Sequence, residues 1–209
     1  MSESGVPALH VRELTLEELR RIWLERMPED FPANELKPLS VIEAVFDRGE
    51  YLPLGAFIAP PDPCGTDAAD AVAAYAFFAT PGNIALFDYL AVRRDLRDRG
   101  VGSAFLRALS PTLARFRTVL LESDDPDRTP DDGERDHRLR RLAFYEKNGL
   151  TDTGVRANVF GADFRILAFP SSADPPDREE TATLYRELYR TFMPESVLKR
   201  AVRISFAES

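Results

Sequence analysis

A chain of 209 residues fits one domain with an elaboration, or two small ones, and an apolar fraction of 44% is ample for a core. Thirty-five acidic against 27 basic side chains, a formal charge of -8, argue against nucleic acid as a general partner, because phosphate-backbone binding draws on clustered Lys and Arg. One cysteine (Cys64), two distant histidines (His10 and His137) and no apolar run near the roughly 20 residues that span a bilayer exclude an internal disulfide framework, a multi-cysteine metal cage and a membrane-spanning helix.

Met1 to Leu9 shows no basic region followed by an apolar stretch, so no signal peptide is expected and the chain reads as soluble and cytoplasmic. Thr15 and Glu18 form a capping-box pattern flanked by the staple pair Leu14 and Leu19. Leu16, Leu19, Ile22, Trp23 and Met27 then recur at helical spacing. Pro28, Pro32 and Pro38 mark an ordered loop, and Ser40 with Glu43 opens a second helix that ends near Gly49. Two strands follow, Tyr51 to Ala59 and Ala71 to Thr80, separated by a turn-rich loop that holds Cys64. Pro81-Gly82-Asn83 is a turn, after which Ile84 to Val92 reads as a third strand antiparallel to the second.

Val101, Ala104, Phe105, Ala108, Leu109 and Leu113 mark the next helix face, and Thr118 to Ser123 is a short buried strand. An acidic loop, Asp124 to Asp136, leads to a helix from about His137 to Asn148 that stops at Gly149. Strands near Leu150 to Val159 and Phe164 to Phe169 turn at Gly161. Beyond Pro170, Pro175 and Pro176, the residues Tyr185, Leu188, Tyr189 and Phe192 give a last amphipathic helix, open to roles as cleft cap, homodimer contact or completion of the core. The order predicts one α/β (α+β) layer structure.

Strand, Arg97-Asp98-Arg99-Gly100-Val101-Gly102-Ser103, then helix is the segment with chemistry in it. Glycine lets the backbone turn sharply and approach a ligand, and the following helix presents unpaired amides at its positive end. Together these suit a phosphate or diphosphate, although an ordinary strand-to-helix turn has the same outline. A nucleotide P-loop needs Gly-Lys-Ser/Thr where this chain has Gly102-Ser103-Ala104, and a dinucleotide fold needs a third glycine and an early parallel βαβ unit.

With Leu90-Ala91-Val92 ahead of that turn and Phe144-Tyr145-Glu146-Lys147-Asn148-Gly149-Leu150 downstream, the chain resembles the GNAT superfamily of acyl-CoA-dependent N-acetyltransferases. That family carries Arg/Gln-x-x-Gly-x-Gly/Ala after a strand ending Leu-Ala-Val, then a helix ending aromatic-Tyr-x-x-x-Gly-Phe; this chain has Leu150 in place of the final Phe. The resemblance covers roughly residues 8–169. It implies a mixed, mostly antiparallel central sheet flanked by helices, with 170–209 as a helical extension packed on the same domain. It implies acyl-CoA, acetyl by default, as co-substrate without a metal, and a small-molecule or peptide amine as acceptor, with no membrane or nucleic-acid partner.

On that resemblance, Leu90, Ala91 and Val92 end a strand that splays from its neighbour and pairs with the pantetheine arm. The amides of Arg97, Asp98, Arg99, Gly100, Val101, Gly102 and Ser103 hold the diphosphate. Tyr145 protonates the departing thiolate; the plainer role for such a residue is packing a helix to a sheet. Many relatives have an asparagine and a small residue at the positions of Arg138 and Arg141, which share the helix face of Tyr145 and are candidates for CoA phosphates or for solvated surface. Glu122 is the first candidate for the base and Asp88 the second; either also suits a capping or salt-bridging role. Transfer is expected to be direct, with no covalent enzyme intermediate, since Cys64 sits in a Pro-rich loop without a nearby histidine. The alternative is a non-catalytic acyl-CoA-binding or protein-interaction module.

Overall fold

A computed structural model describes residues 8–33, 35–58, 72–169 and 176–207. The chain divides into two units, Met1–Ala79 with Asp88–Thr112 and Thr80–Phe87 with Leu113–Ser209. The first opens with β1 (His10–Glu13) and α1 (Leu16–Glu25). Its capping box forms as the sequence predicts. Thr15 Oγ1 accepts from the Glu18 amide at 3.2 Å, and the Glu18 carboxylate accepts from the Thr15 amide at 2.8 Å. Leu19 and Ile22 are the buried face of that helix.

One-turn α2 (Met27–Asp30) and α3 (Leu39–Asp47) follow, then β2 (Tyr51–Phe57), β3 (Val72–Ala79), β4 (Ile84–Val92) and α4 (Val101–Leu113). Every residue of β3 is buried, which is why it reads as a continuous apolar run. Pro53 is tolerated inside β2 because the β1 ladder ends at the Glu13–Leu54 pair, leaving its missing N–H beyond that pairing. The Arg93 amide bonds the Ala73 carbonyl at 2.9 Å, joining the end of β4 to the start of β3 as an antiparallel hairpin requires.

The second unit contains the start of β4, β5 (Thr118–Asp124), α5 (Asp132–Lys147), β6 (Thr151–Val159), β7 (Ala162–Ala168), α6 (Arg178–Arg190), α7 (Glu195–Ala201) and β8 (Val202–Phe206). Strand order along the sheet is β1-β2-β3-β4-β5-β7-β6-β8, with β4 running through both units. β4 and β5 pair in parallel; the β1–β2, β2–β3, β5–β7, β6–β7 and β6–β8 ladders are antiparallel. The mixed, mostly antiparallel sheet with helices expected from the sequence is present. No helix among the described residues is long and apolar enough to cross a membrane.

Several boundaries differ from expectation for local reasons. The helix expected from His137 begins at Asp132, because the Asp131 carboxylate caps the Glu134 amide at 2.7 Å; the acidic loop is therefore short, with Asp124 still in β5. Ser40 does not open its helix, since α3 already starts at Leu39 after Pro38. The loop expected around Pro28 contains α2, with that proline in its first turn, where a missing amide costs nothing. Neither β1 nor α7 nor β8 was expected. The loop with Cys64, Ala59 and Ala71, and the prolines at 170 and 175, lie outside the described residues.

Candidate active site

In the first unit β4 ends at Val92, a single 3-10 turn covers Arg94–Leu96, and the chain then bends at Asp98 (φ 60°) and Gly100 (φ 77°). Positive φ costs least for glycine and is tolerated by aspartate, so Gly100 and Asp98 both suit their bends. Buried Leu96 and Val101 pack with Ala73, fixing the bend against β3. The first helical bond of α4 runs from the Ala104 amide to the Gly100 carbonyl at 3.0 Å. Among the described residues no carbonyl accepts from the amides of Asp98, Arg99, Gly100, Val101, Gly102 or Ser103. These are the donors a helix start leaves over, at its positive pole.

The side chain of Arg97 is exposed but tied down. Its Nε donates to the Val92 carbonyl at 2.9 Å and its terminal nitrogen to Asp30 at 2.7 Å, while the other Asp30 oxygen accepts from Tyr75 at 2.9 Å. Burial, with the neighbouring Asp30 carboxylate, pushes the Tyr75 phenol far above its ordinary value. Arg99 makes no ion pair among the described residues.

Pairing of β4 with β5 ends at the Phe87–Leu121 pair, so Asp88 to Val92, including Leu90 and Ala91, run on without that ladder. The Asp88 side chain is 0% exposed although the residue as a whole is half-buried, so its exposed surface is main chain. Its carboxylate binds the Lys37 ammonium at 2.5 Å and the Tyr51 phenol at 2.6 Å. Burial first, and then Asp88, push the Tyr51 phenol well above its ordinary value, so it stays a donor. Tyr89 accepts from the Lys37 amide at 2.8 Å and donates to the Glu35 carbonyl at 3.1 Å, fastening that loop.

The second unit holds the other candidates. On β5, Glu122 accepts hydrogen bonds from both Tyr185 and Tyr189 of α6, the latter at 2.5 Å. On α5, Tyr145 is buried, and that burial pushes its phenol above the ordinary value; the Arg141 charge opposes the shift and Asp124 adds to it. Arg141 pairs with Asp124 at 2.6 Å, and Arg138 bonds Glu134 at 3.0 Å and the Asp125 carbonyl at 2.9 Å. Both arginines share the face of Tyr145, as their spacing implies, and both already hold protein acceptors. His137 is exposed on α5. Among the described residues no group of three His, Cys, Asp or Glu side chains is placed to hold a metal ion.

Five partners escape sequence reasoning: Asp30, Lys37, Tyr51, Tyr185 and Tyr189. Only the tyrosine pair left a signal, since an i, i+4 pair on the apolar face of α6 carries two hydroxyls that need acceptors once buried.

No protein-family model matches the sequence, and no curated protein matches it either. Solved structures do share its fold. A GNAT-family protein from Bacteroides thetaiotaomicron is 19% identical with a TM-score of 0.62, over 87% of this chain and 96% of that one. The ribosomal-protein-S18-alanine N-acetyltransferase from Escherichia coli is 19% identical with a TM-score of 0.53, over 80% of this chain and 96% of that one. A GNAT family acetyltransferase from Elizabethkingia anophelis with acetyl-CoA bound is 12% identical with a TM-score of 0.50, over 77% of this chain and 97% of that one. The chain thus has the fold of GNAT-family acetyltransferases.

Proposed function

We propose that this protein is an N-acyltransferase that takes an acyl group, acetyl by default, from acyl-CoA and passes it directly to an amine. The observation that carries the reading is the row of unbonded amides from Asp98 to Ser103, which follows a stretch of β4 beyond the end of its β5 ladder. Unbonded donors around a glycine bend at a helix start suit a diphosphate, and free strand backbone suits an amide-bearing arm such as pantetheine. Leu90, Ala91 and Val92 would take the arm; Asp98 to Ser103 would take the diphosphate through their amides, whereas the Arg97 amide, also expected there, already donates to the Arg94 carbonyl at 3.3 Å. Arg138 and Arg141 would have to exchange Glu134, Asp125 and Asp124 for a phosphate.

When bound, acyl-CoA supplies an acyl group already activated as a thioester. The rest belongs to the chain. Tyr145 keeps its proton across the physiological range, because burial raises its pKa, and so can give it to a leaving sulfur. Glu122 or Asp88 takes the proton that the attacking amine must lose. Glu122 is the stronger candidate, since the Asp88 side chain is fully buried between Lys37 and Tyr51. No side chain is assigned as a nucleophile. The acceptor is a small-molecule or peptide amine.

A second reading, a non-catalytic acyl-CoA-binding module, is favoured by one fact: both candidate bases already hold protein donors. An acetyl-CoA turnover assay against polyamines, aminoglycosides, amino acids and peptide N-termini separates the two. Amine-dependent release of free thiol is expected. CoA binding without thiol release on any acceptor supports the second reading, and absence of both discards the two together.

A further inference from the structure

Helix α6 lies beyond the segment that the sequence motifs cover, and it packs on β6 within the second unit. Thr181, Ala182, Leu184, Tyr185, Leu188 and Tyr189 are its buried residues, and none is charged. Tyr185 and Tyr189 stand one turn apart with ring centroids at 5.0 Å, and both phenols donate to the same oxygen of Glu122. Packing alone does not ask for hydroxyls here. Phe192 lies 6.2 Å from Tyr189 and serves as an aromatic without one.

Two donors on one carboxylate oxygen do two things. They fix the rotamer of Glu122, and they favour its charged form, since hydrogen bonds made to a carboxylate stabilise the ion. The Tyr185 phenol stays a donor, since it is pushed well above its ordinary value, first by burial and then by the Glu122 charge. Asp124, two residues on along β5, is paired with Arg141 from α5. On β7 the residue opposite Glu122 is apolar Ile166.

We propose that Tyr185 and Tyr189, supplied by the segment beyond residue 169, are positioning residues that hold Glu122 oriented and ionised to accept the proton of the incoming amine. This deepens the reading given above and rests on it. It makes the C-terminal extension part of the working site, where the residues of the minimal motifs alone would leave Glu122 without either donor.

The test pairs kinetics with equilibrium unfolding of the full chain. Tyr185→Phe and Tyr189→Phe keep the rings and remove only the hydroxyls. The double variant should move the acid limb of the kcat/KM profile upward by about one pH unit, because a carboxylate without its donors protonates more readily. KM for acetyl-CoA should stay within about twofold. In a Glu122→Gln background the same substitutions should leave kcat unchanged. An unmoved acid limb in an active double variant overturns the proposal.

Urea unfolding needs no acceptor. Tyr189→Phe should change the unfolding constant about fivefold or more beside the native Glu122 carboxylate. In the Glu122→Gln background, where a neutral amide replaces that carboxylate, the change should be less than about twofold, since coupled groups are not additive. Equal effects in both backgrounds would mean that the hydroxyl contributes nothing through the Glu122 carboxylate, and would overturn the proposal as well. Should the wild type bind acetyl-CoA and release no thiol with any amine, the transferase reading falls on its own, while the unfolding cycle still decides the Tyr–Glu coupling.

Discussion

Tyr145 is the side chain whose proposed chemistry is easiest to isolate, because phenylalanine keeps its ring and removes one hydroxyl. The phenol is buried and its pKa is raised, so it remains protonated across the physiological range. A proton donor must be protonated to act; raising the pKa therefore extends the working range to higher pH and leaves its acid side untouched. Tyr145→Phe should lower kcat by about 100-fold if the hydroxyl serves as general acid, with CoA affinity nearly unchanged. An unaltered kcat would leave Tyr145 as a packing residue. The resemblance of its motif brought Tyr145 forward, and side-chain type and strand position, which are local properties, brought Glu122 and Asp88. The sequence was silent on what holds them. Lys37 is 51 residues from Asp88 and Tyr185 is 63 from Glu122, and nothing local encodes such pairs.

At the scale of single elements, caps and turns were the most legible features and the reasons are physical. A capping box is written in four consecutive residues, so Thr15 and Glu18 announce α1 before any tertiary contact forms. Thr15→Ala should cost about 1 kcal/mol and lower the melting temperature by roughly 2–4 °C. Glu18 adds a pH signature. Hydrogen bonds from Arg12, at 2.6 and 2.9 Å, hold its carboxyl below the ordinary glutamate value. A depressed folded-state pKa contributes stability above the unfolded value and loses it as pH falls through the folded one. Glu18→Gln should therefore destabilise the protein near neutrality and converge on the wild type in acid, as paired thermal melts across pH would show. A constant gap at every pH would deny Arg12 its role. Boundaries were less legible where the cap was misjudged: Asp131, not His137, starts α5, because carboxylate capping competes well with an acidic run's appearance as loop.

For the molecule as a whole, two motifs carried the fold class because each marks a junction between elements. β8 was illegible for the opposite reason. Val202 to Phe206 is a five-residue strand whose identity depends on pairing with β6, from Val159–Val202 to Val155–Phe206. A strand that short acquires its meaning from its partner. The proposed ligand offers a test at the same scale. A molecule that binds only the folded chain stabilises it by RT ln(1 + [L]/Kd), about 2.7 kcal/mol at 100 times Kd. In a protein of this size that corresponds to a melting shift of roughly 5–10 °C. The shift should depend on the bend if the amides from Asp98 to Ser103 hold the diphosphate as proposed, since Gly100 at φ 77° sets their path. Alanine there meets a left-handed conformation that costs roughly 1–2 kcal/mol. Gly100→Ala should fold, melt slightly lower without ligand, and lose more than half of the CoA-induced shift. If CoA stabilises Gly100→Ala as much as the wild type, the diphosphate is held somewhere other than these amides.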